Sequence, residues 1–88
     1  MGVQEDFDKA AEEAKGLPDG TSNDDKLSLY GLFKQGTVGD VDTGKPGIFD
    51  QKGRAKWDAW NAKKGMEKET AQKEYIALVR SLQEKYAK

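Results

Sequence analysis

Residues Gly39–Gly47 read GDVDTGKPG, and two incompatible folds depend on how that stretch is taken. Its first seven residues fit G-x-x-x-x-G-K, the phosphate loop that joins a strand to a helix in a parallel α/β domain. The next position of that motif needs a Ser or Thr to hold magnesium, and here it is Pro46. No strand reads clearly before Gly39, and Pro46 disfavours a helix that begins at Lys45. A calcium loop counted from Asp40 also fails, with Lys45 where Gly is required and Gln51 where Glu is required. The wider stretch holds Gly36, Gly39, Gly44, Gly47 and Gly53 together with Pro46. It reads as a long irregular connection between helices. Such a loop is longer than an antiparallel helix pair needs, and it can deliver the next helix parallel to the last.

Composition narrows the chemistry. Eighty-eight residues make one small domain, taken as 1–88, without room for a large nucleotide-hydrolysing sheet. The chain has no Cys and no His, so thiol and imidazole catalysis and the common zinc sites are excluded. Mean hydropathy is −0.92, and no apolar run approaches a membrane span or a signal-peptide core. Met1-Gly2 opens like a myristoylation site, but Asp6 stands where Ser or Thr is needed. A soluble, cytoplasmic protein is expected. Net charge is only −1, yet residues 1–25 carry eight acids against two lysines, whereas 51–64 carry five cations against Asp58. A local basic segment on a neutral chain suits a small anionic ligand better than nucleic acid. It also suits a solvated helix face.

Four helical segments are predicted. The first spans about Gln4 to Lys15, with Phe7, Ala10, Ala11 and Ala14 on one face and Gly16 as its stop. The second starts at Thr21–Asp25, where Ser22 and Asp25 resemble a capping box, and continues through Leu27, Leu29, Tyr30, Leu32 and Phe33 until Gly36 and Gly39 end it. Its wide apolar stripe calls for burial on more than one side. Leu27-Ser28-Leu29 alternates like a strand, which is a minor alternative. The third covers about Asp50 to Lys64, with Asp50 as cap and Gly65 as stop. The fourth, Glu67 to Tyr86, repeats Ala71, Tyr75, Leu78, Val79, Leu82 and Tyr86 at threes and fours, the strongest helical signal in the chain.

Aromatic and lysine residues cluster three times: Tyr30 with Phe33 and Lys34, Lys56 with Trp57 and Trp60, and Tyr75 on the last helix. Rings can face a base, a phenol can donate to a phosphate, and lysines supply positive charge. The same residues can equally be core and solvated surface, and Trp57 and Trp60 read first as core. The residues by themselves stop at a helical bundle with a basic segment.

The chain resembles the acyl-CoA-binding protein family at Phe7–Glu13 (FDKAAEE), Tyr30–Gln35 (YGLFKQ), Thr37–Asp40 (TVGD), Lys45–Gly47 (KPG), Asp50–Gly53 (DQKG) and Ala55–Asn61 (AKWDAWN). Tyr75-Ile76 falls in the matching place on the last helix. The resemblance implies an all-α four-helix bundle in up-down-down-up order, with Gly39–Gly47 inside the long crossing loop between helices two and three. It implies binding of long-chain fatty acyl-CoA, with no cofactor, metal or catalytic residue, by a monomer that meets acyl-CoA-using enzymes and membrane surfaces transiently.

By position, Tyr30 would lie against the phosphates and Phe33 would face the adenine. Lys34 and Lys56 would pair with phosphates, Lys56 with the ribose 3′-phosphate. Tyr75 would close the nucleotide site, Lys15 would border it, and Gly31 and Leu32 fall within the binding stretch. Leu27 and Ala55 are the expected acyl-chain contacts. The chain departs from the family's usual pattern at Phe33, where Tyr is frequent, at Gly36, where Ala is common, and at Glu67, where Ser often caps. Gly36 should cost about 1 kcal/mol if helical. Two other readings compete: a helical module docking an acidic partner or anionic membrane through the third segment, and a carboxylate-based acyl-CoA hydrolase, for which no carboxylate pair is marked out.

Overall fold

A computed structural model describes residues 2–86, so that Met1, Ala87 and Lys88 of the expected 1–88 domain lie outside the described residues. It contains α1 (Val3–Ala14), α2 (Asn23–Thr37), α3 (Gln51–Asn61) and α4 (Lys68–Tyr86), and no strand among those residues. The stretch Leu27-Ser28-Leu29 is helical, and GDVDTGKPG is the irregular connection expected of it.

Contacts between helix ends fix the directions. Gln4 and Gln72, both early in their helices, are hydrogen-bonded, as are Glu13 and Gln83, both late, so α1 runs parallel to α4. Tyr86 at the end of α4 meets Ser22 and Asp25 at the start of α2, so those two are antiparallel. Gly31 of α2 lies against Ala59 of α3, and Lys56 lies over Tyr30, which makes α2 and α3 parallel. The order is up-down-down-up. Helix α2 packs on both α3 and α4, which explains its wide apolar stripe.

Local chemistry sets the helix limits. The Ser22 Oγ accepts the Asp25 N–H at 3.1 Å, capping α2. The capping box is not reciprocal, because the Ser22 N–H donates instead to the Tyr86 hydroxyl, which donates on to Asp25. Lys85 also meets Asp25 at 3.0 Å; this contact, followed by the Tyr86 and Ser22 hydroxyl contacts, holds the Asp25 carboxyl below its ordinary pKa. The far end of α4 is thereby latched to the start of α2. At α3 the Asp50 carboxylate accepts the Gly53 N–H.

Three limits differ from the sequence expectation. Helix α1 ends in successive tight turn bonds at Lys15, Gly16 and Leu17, and Gly16 needs no left-handed conformation. Helix α2 passes through Gly36 and stops at Gly39, whose φ of 98° is a conformation that favours glycine. Helix α3 ends at Asn61, and the chain turns before reaching Gly65. The expected cost of Gly36 also has a compensation. A methyl there would sit 3.0 Å from Gln72 Cγ and 3.3 Å from Phe7 Cζ, so its absence lets α1 and α4 close on α2.

The core joins Phe7 and Ala10 of α1 to Leu29 and Leu32 of α2 and to Ala71, Tyr75, Val79 and Leu82 of α4. Helix α3 contributes Trp60, whose indole N–H donates to the Gly39 carbonyl at 2.7 Å. The Trp57 indole N–H donates to Thr43 at 2.8 Å, and Arg54 donates to Pro46. Trp60 is therefore both core and pin for the crossing loop, whereas the half-buried Trp57 is chiefly a pin. Asp40 completes the clamp by accepting from Gly65 N–H and from Gln35, contacts that lower its pKa.

Gly31 is where α2 and α3 come closest. An added Cβ would lie 2.5 Å from the Ala59 carbonyl oxygen, and that atom is backbone and cannot rotate away. Overpacking of this kind costs about 1–3 kcal/mol, against about 1 kcal/mol gained in helix propensity. Gly31→Ala is therefore expected to lower the urea midpoint, and an unchanged midpoint would show that the helices separate freely.

Candidate ligand-binding site

Two grooves open along α2, the first among α1, α2 and α4 and the second between α2 and α3. The first, about 270 Å³, lies among Ala11, Ala14 and Lys15 of α1, Lys26, Leu29, Tyr30 and Phe33 of α2, and Tyr75 of α4. It runs into a further hollow that shares Ala11, Lys15, Phe33 and Tyr75. The second, about 250 Å³, is lined by Asn23, Lys26, Leu27, Lys52, Ala55 and Lys56, and Lys26 belongs to both. Lys56 Nζ stands 5.7 Å from the Tyr30 ring centroid, so the two grooves also meet across the α2–α3 seam.

The folding pattern explains the placement. Lys26, Tyr30 and Phe33 follow one another at helical spacing and share a face of α2. Lys52 and Lys56 repeat this on α3, with Ala55 between them. Parallel packing at Gly31 sets these faces side by side. On the α4 side, Phe7 stacks on Phe33 with centroids 5.6 Å apart and meets Tyr75 edge-on at 5.1 Å. Phe33 and Tyr75 are themselves 5.9 Å apart. Phe7 thus backs the two aromatic residues that form one wall.

The charged residues lining the two grooves are all lysines, whereas the hollow beside the first is bordered by Asp8 and Glu12. Lys26, Lys52 and Lys56 have no carboxylate within ion-pair distance among the described residues, whereas Lys15 is paired with Glu12 at 3.1 Å. Burial pushes the Tyr75 phenol above its ordinary pKa, which keeps it protonated and able to donate. Its hydroxyl makes no hydrogen bond with another described residue. No group of three or more acidic side chains able to hold a metal is present among the described residues.

Of the residues expected from the sequence, Lys15, Tyr30, Phe33 and Tyr75 come together in the first groove, and Leu27, Ala55 and Lys56 in the second. Three stand elsewhere. Gly31 is closed off against Ala59, and Leu32 is buried in the core, where its apolar side chain is consumed by packing. Lys34 lies over the Trp60 ring at 4.8 Å and does not line either groove. Conversely, the sequence reading missed Lys26 and Lys52. Each precedes a chosen residue, Tyr30 or Lys56, by four positions, and that spacing was the available signal. A larger hollow of about 420 Å³ under the α1–α2 turn is lined by Glu13, Gly16, Leu17, Pro18, Gln83 and Tyr86. With one acid and no cation it does not suit an anion.

Comparison with known proteins bears on the family and the fold. The family model described as Acyl CoA binding protein matches residues 4–79. The chain is 60% identical over 87 residues to acyl-CoA-binding domain-containing protein 1 of Oryza sativa subsp. japonica, covering 99% of this chain and 96% of that protein. It is 61% identical over the same length to acyl-CoA-binding domain-containing protein 3 of that organism, again covering 99% of this chain but only 56% of that protein's length. The crystal structure of Oryza sativa acyl-CoA-binding protein 2 superposes with a TM-score of 0.93 at 58% identity, covering 96% of this chain and 93% of that one. By sequence over nearly its whole length and by its fold, the chain belongs to the acyl-CoA-binding protein family.

Proposed function

We propose that this protein binds long-chain fatty acyl-CoA esters one-to-one as a cytoplasmic, monomeric carrier. It would form a protected pool of ester for enzymes that use it and would perform no chemistry on it. The observation that carries the reading is the pairing of an aromatic wall, Tyr30, Phe33 and Tyr75, with the carboxylate-free lysines Lys26, Lys52 and Lys56 in connected grooves. The CoA head bears a base and several phosphates, and these two kinds of side chain answer those two kinds of group. Phe33 would take the adenine face, and the neutral Tyr75 phenol would donate a hydrogen bond. Tyr30 and Lys56 stand close enough to share one phosphate group. Lys34 would reach the phosphates only by leaving the Trp60 ring, and Lys15 only by loosening its exposed pair with Glu12. The acyl chain would lie along Leu27, Ala55 and the lysine stems.

Lys56 is the decisive residue. Its ammonium rests on an aromatic face and keeps its donors uncommitted, so a phosphate can be bound without first breaking an ion pair. A charge-assisted hydrogen bond in such a position contributes about 1.5–3 kcal/mol. Lys56→Ala is expected to weaken binding of a long-chain acyl-CoA by roughly 10- to 150-fold in calorimetry, at an unchanged thermal midpoint. Unaltered affinity in a folded variant would refute the assignment.

A further inference from the structure

The crossing loop ends in an apolar tip that neither the core nor the grooves use. Ile48 is 70% exposed and Phe49 is 97% exposed. Their presentation is not the result of a loose loop. Trp57 and Arg54 hold the preceding backbone at Thr43 and Pro46, the Asp50 N–H donates to the Gly47 carbonyl across the tip, and the Asp50 side chain caps α3. Two adjacent hydrophobic residues are thus held outward on a fastened turn.

Cations flank this tip. Between Lys45 and Lys56 the chain carries Lys45, Lys52, Arg54 and Lys56 against the single acid Asp50; Lys45 is paired with Asp58 at 3.2 Å, which leaves Lys52, Arg54 and Lys56 without an acidic partner among the described residues. Lys52 and Lys56 join Lys26 along the second groove, which has no carboxylate in its lining. A tip of two side chains is too small for a stable protein interface, which takes some 20–30 residues a side. It fits a surface with hydrocarbon beneath a thin anionic layer, where apolar side chains enter and flanking lysines stay at the headgroups.

We propose that the Ile48–Phe49 tip inserts into anionic lipid bilayers, with Lys26, Lys52 and Lys56 facing the headgroups. Docked in this way, the mouth of the groove at Leu27 and Ala55 is presented to the lipid surface. The inference deepens the carrier reading and rests on it for its purpose, but not for its test.

The test is co-sedimentation of the unloaded protein with phosphatidylcholine vesicles, with and without phosphatidylserine, alongside calorimetry with long-chain acyl-CoA on the same samples. The wild type is expected to sediment with the phosphatidylserine vesicles and to be released by salt. Phe49→Asp is expected to lose roughly tenfold or more in vesicle affinity while its ester affinity is unchanged. Phe49→Leu, which restores an apolar tip, is expected to recover most of the binding. Absence of wild-type sedimentation with phosphatidylserine vesicles would overturn the proposal. So would vesicle binding by Phe49→Asp equal to wild type, which would leave only a basic surface. Loss of ester affinity without loss of vesicle binding would also overturn it and assign the tip to the acyl chain. Vesicle binding by a wild type that fails to bind the ester would uphold the membrane tip and remove the carrier function.

Discussion

Phe7→Ala is expected to lower the unfolding free energy by about 3–5 kcal/mol, the range for truncating a buried aromatic side chain. The side chain is 1% exposed and joins α1 to two other helices: it stacks on Phe33 and lies against the bare backbone of Gly36 on α2, and meets Tyr75 of α4 edge-on. Little can collapse into the space it would leave. Leu32 and Val79 are held by their own helices, and the Gly36 side has no side chain to offer. A domain of this size has a total stability of about 5–10 kcal/mol, so the loss would be a large share of it. Urea unfolding followed by circular dichroism measures this directly. A cost below about 1 kcal/mol would mean that α1 is not docked through Phe7. The variant should also bind ester more weakly where it is still folded, because Phe33 and Tyr75 would lose the ring that fixes their spacing.

That coupling shows why the fold was more legible in the sequence than the site was. Helical spacing, the Ser22 and Asp50 caps and the failed phosphate loop are local signals, and local physics decides them. Helix ends were read less well where tertiary contacts intervene. Gly36 looks like a terminator in isolation, yet α2 continues because Phe7 and Gln72 need the space that a side chain would fill. Asp25 looks like half of a capping box, but its partners, Lys85 and Tyr86, are about sixty residues away in the chain.

The site divides in the same way. Tyr30, Phe33, Lys56 and Tyr75 stand out in the sequence as aromatic and lysine clusters and take their expected roles from the resemblance, and the two grooves contain all four. Gly31 and Leu32 enter the expectation only because they lie inside a matching string. A contiguous string on a helix points in every direction, so it cannot distinguish the face that meets a ligand from the face that meets Ala59 or the core. In the sequence Lys26 and Lys52 look no different from lysines on any solvated helix face. Their significance lies in what is missing around them, the absence of a neighbouring carboxylate, and only a folded chain reveals that.

The aromatic wall and the lysines account for the head group, and the acyl chain should add more affinity than any one of them. A chain lying in the second groove is covered on one side by Leu27, Ala55 and the stems of Lys26, Lys52 and Lys56, and the groove is open on the other. A fully buried methylene is worth about 0.8 kcal/mol, so one half-covered contributes about 0.4 kcal/mol. Ten such methylenes amount to about 4 kcal/mol, a factor of roughly a thousand. Free CoA is therefore expected to bind about a thousandfold more weakly than a hexadecanoyl ester, a larger effect than that of any single lysine. Calorimetry with the ester below its micelle concentration, set against free CoA and the free fatty acid, measures the difference. If free CoA bound within tenfold of the ester, the second groove would not be the acyl channel. The same gradient should appear along a series of chain lengths, rising with each added pair of methylenes until the chain outruns Leu27 and Ala55. Leu27→Ser should flatten that series while leaving free CoA binding unchanged, because it lies in the second groove and not along the aromatic wall.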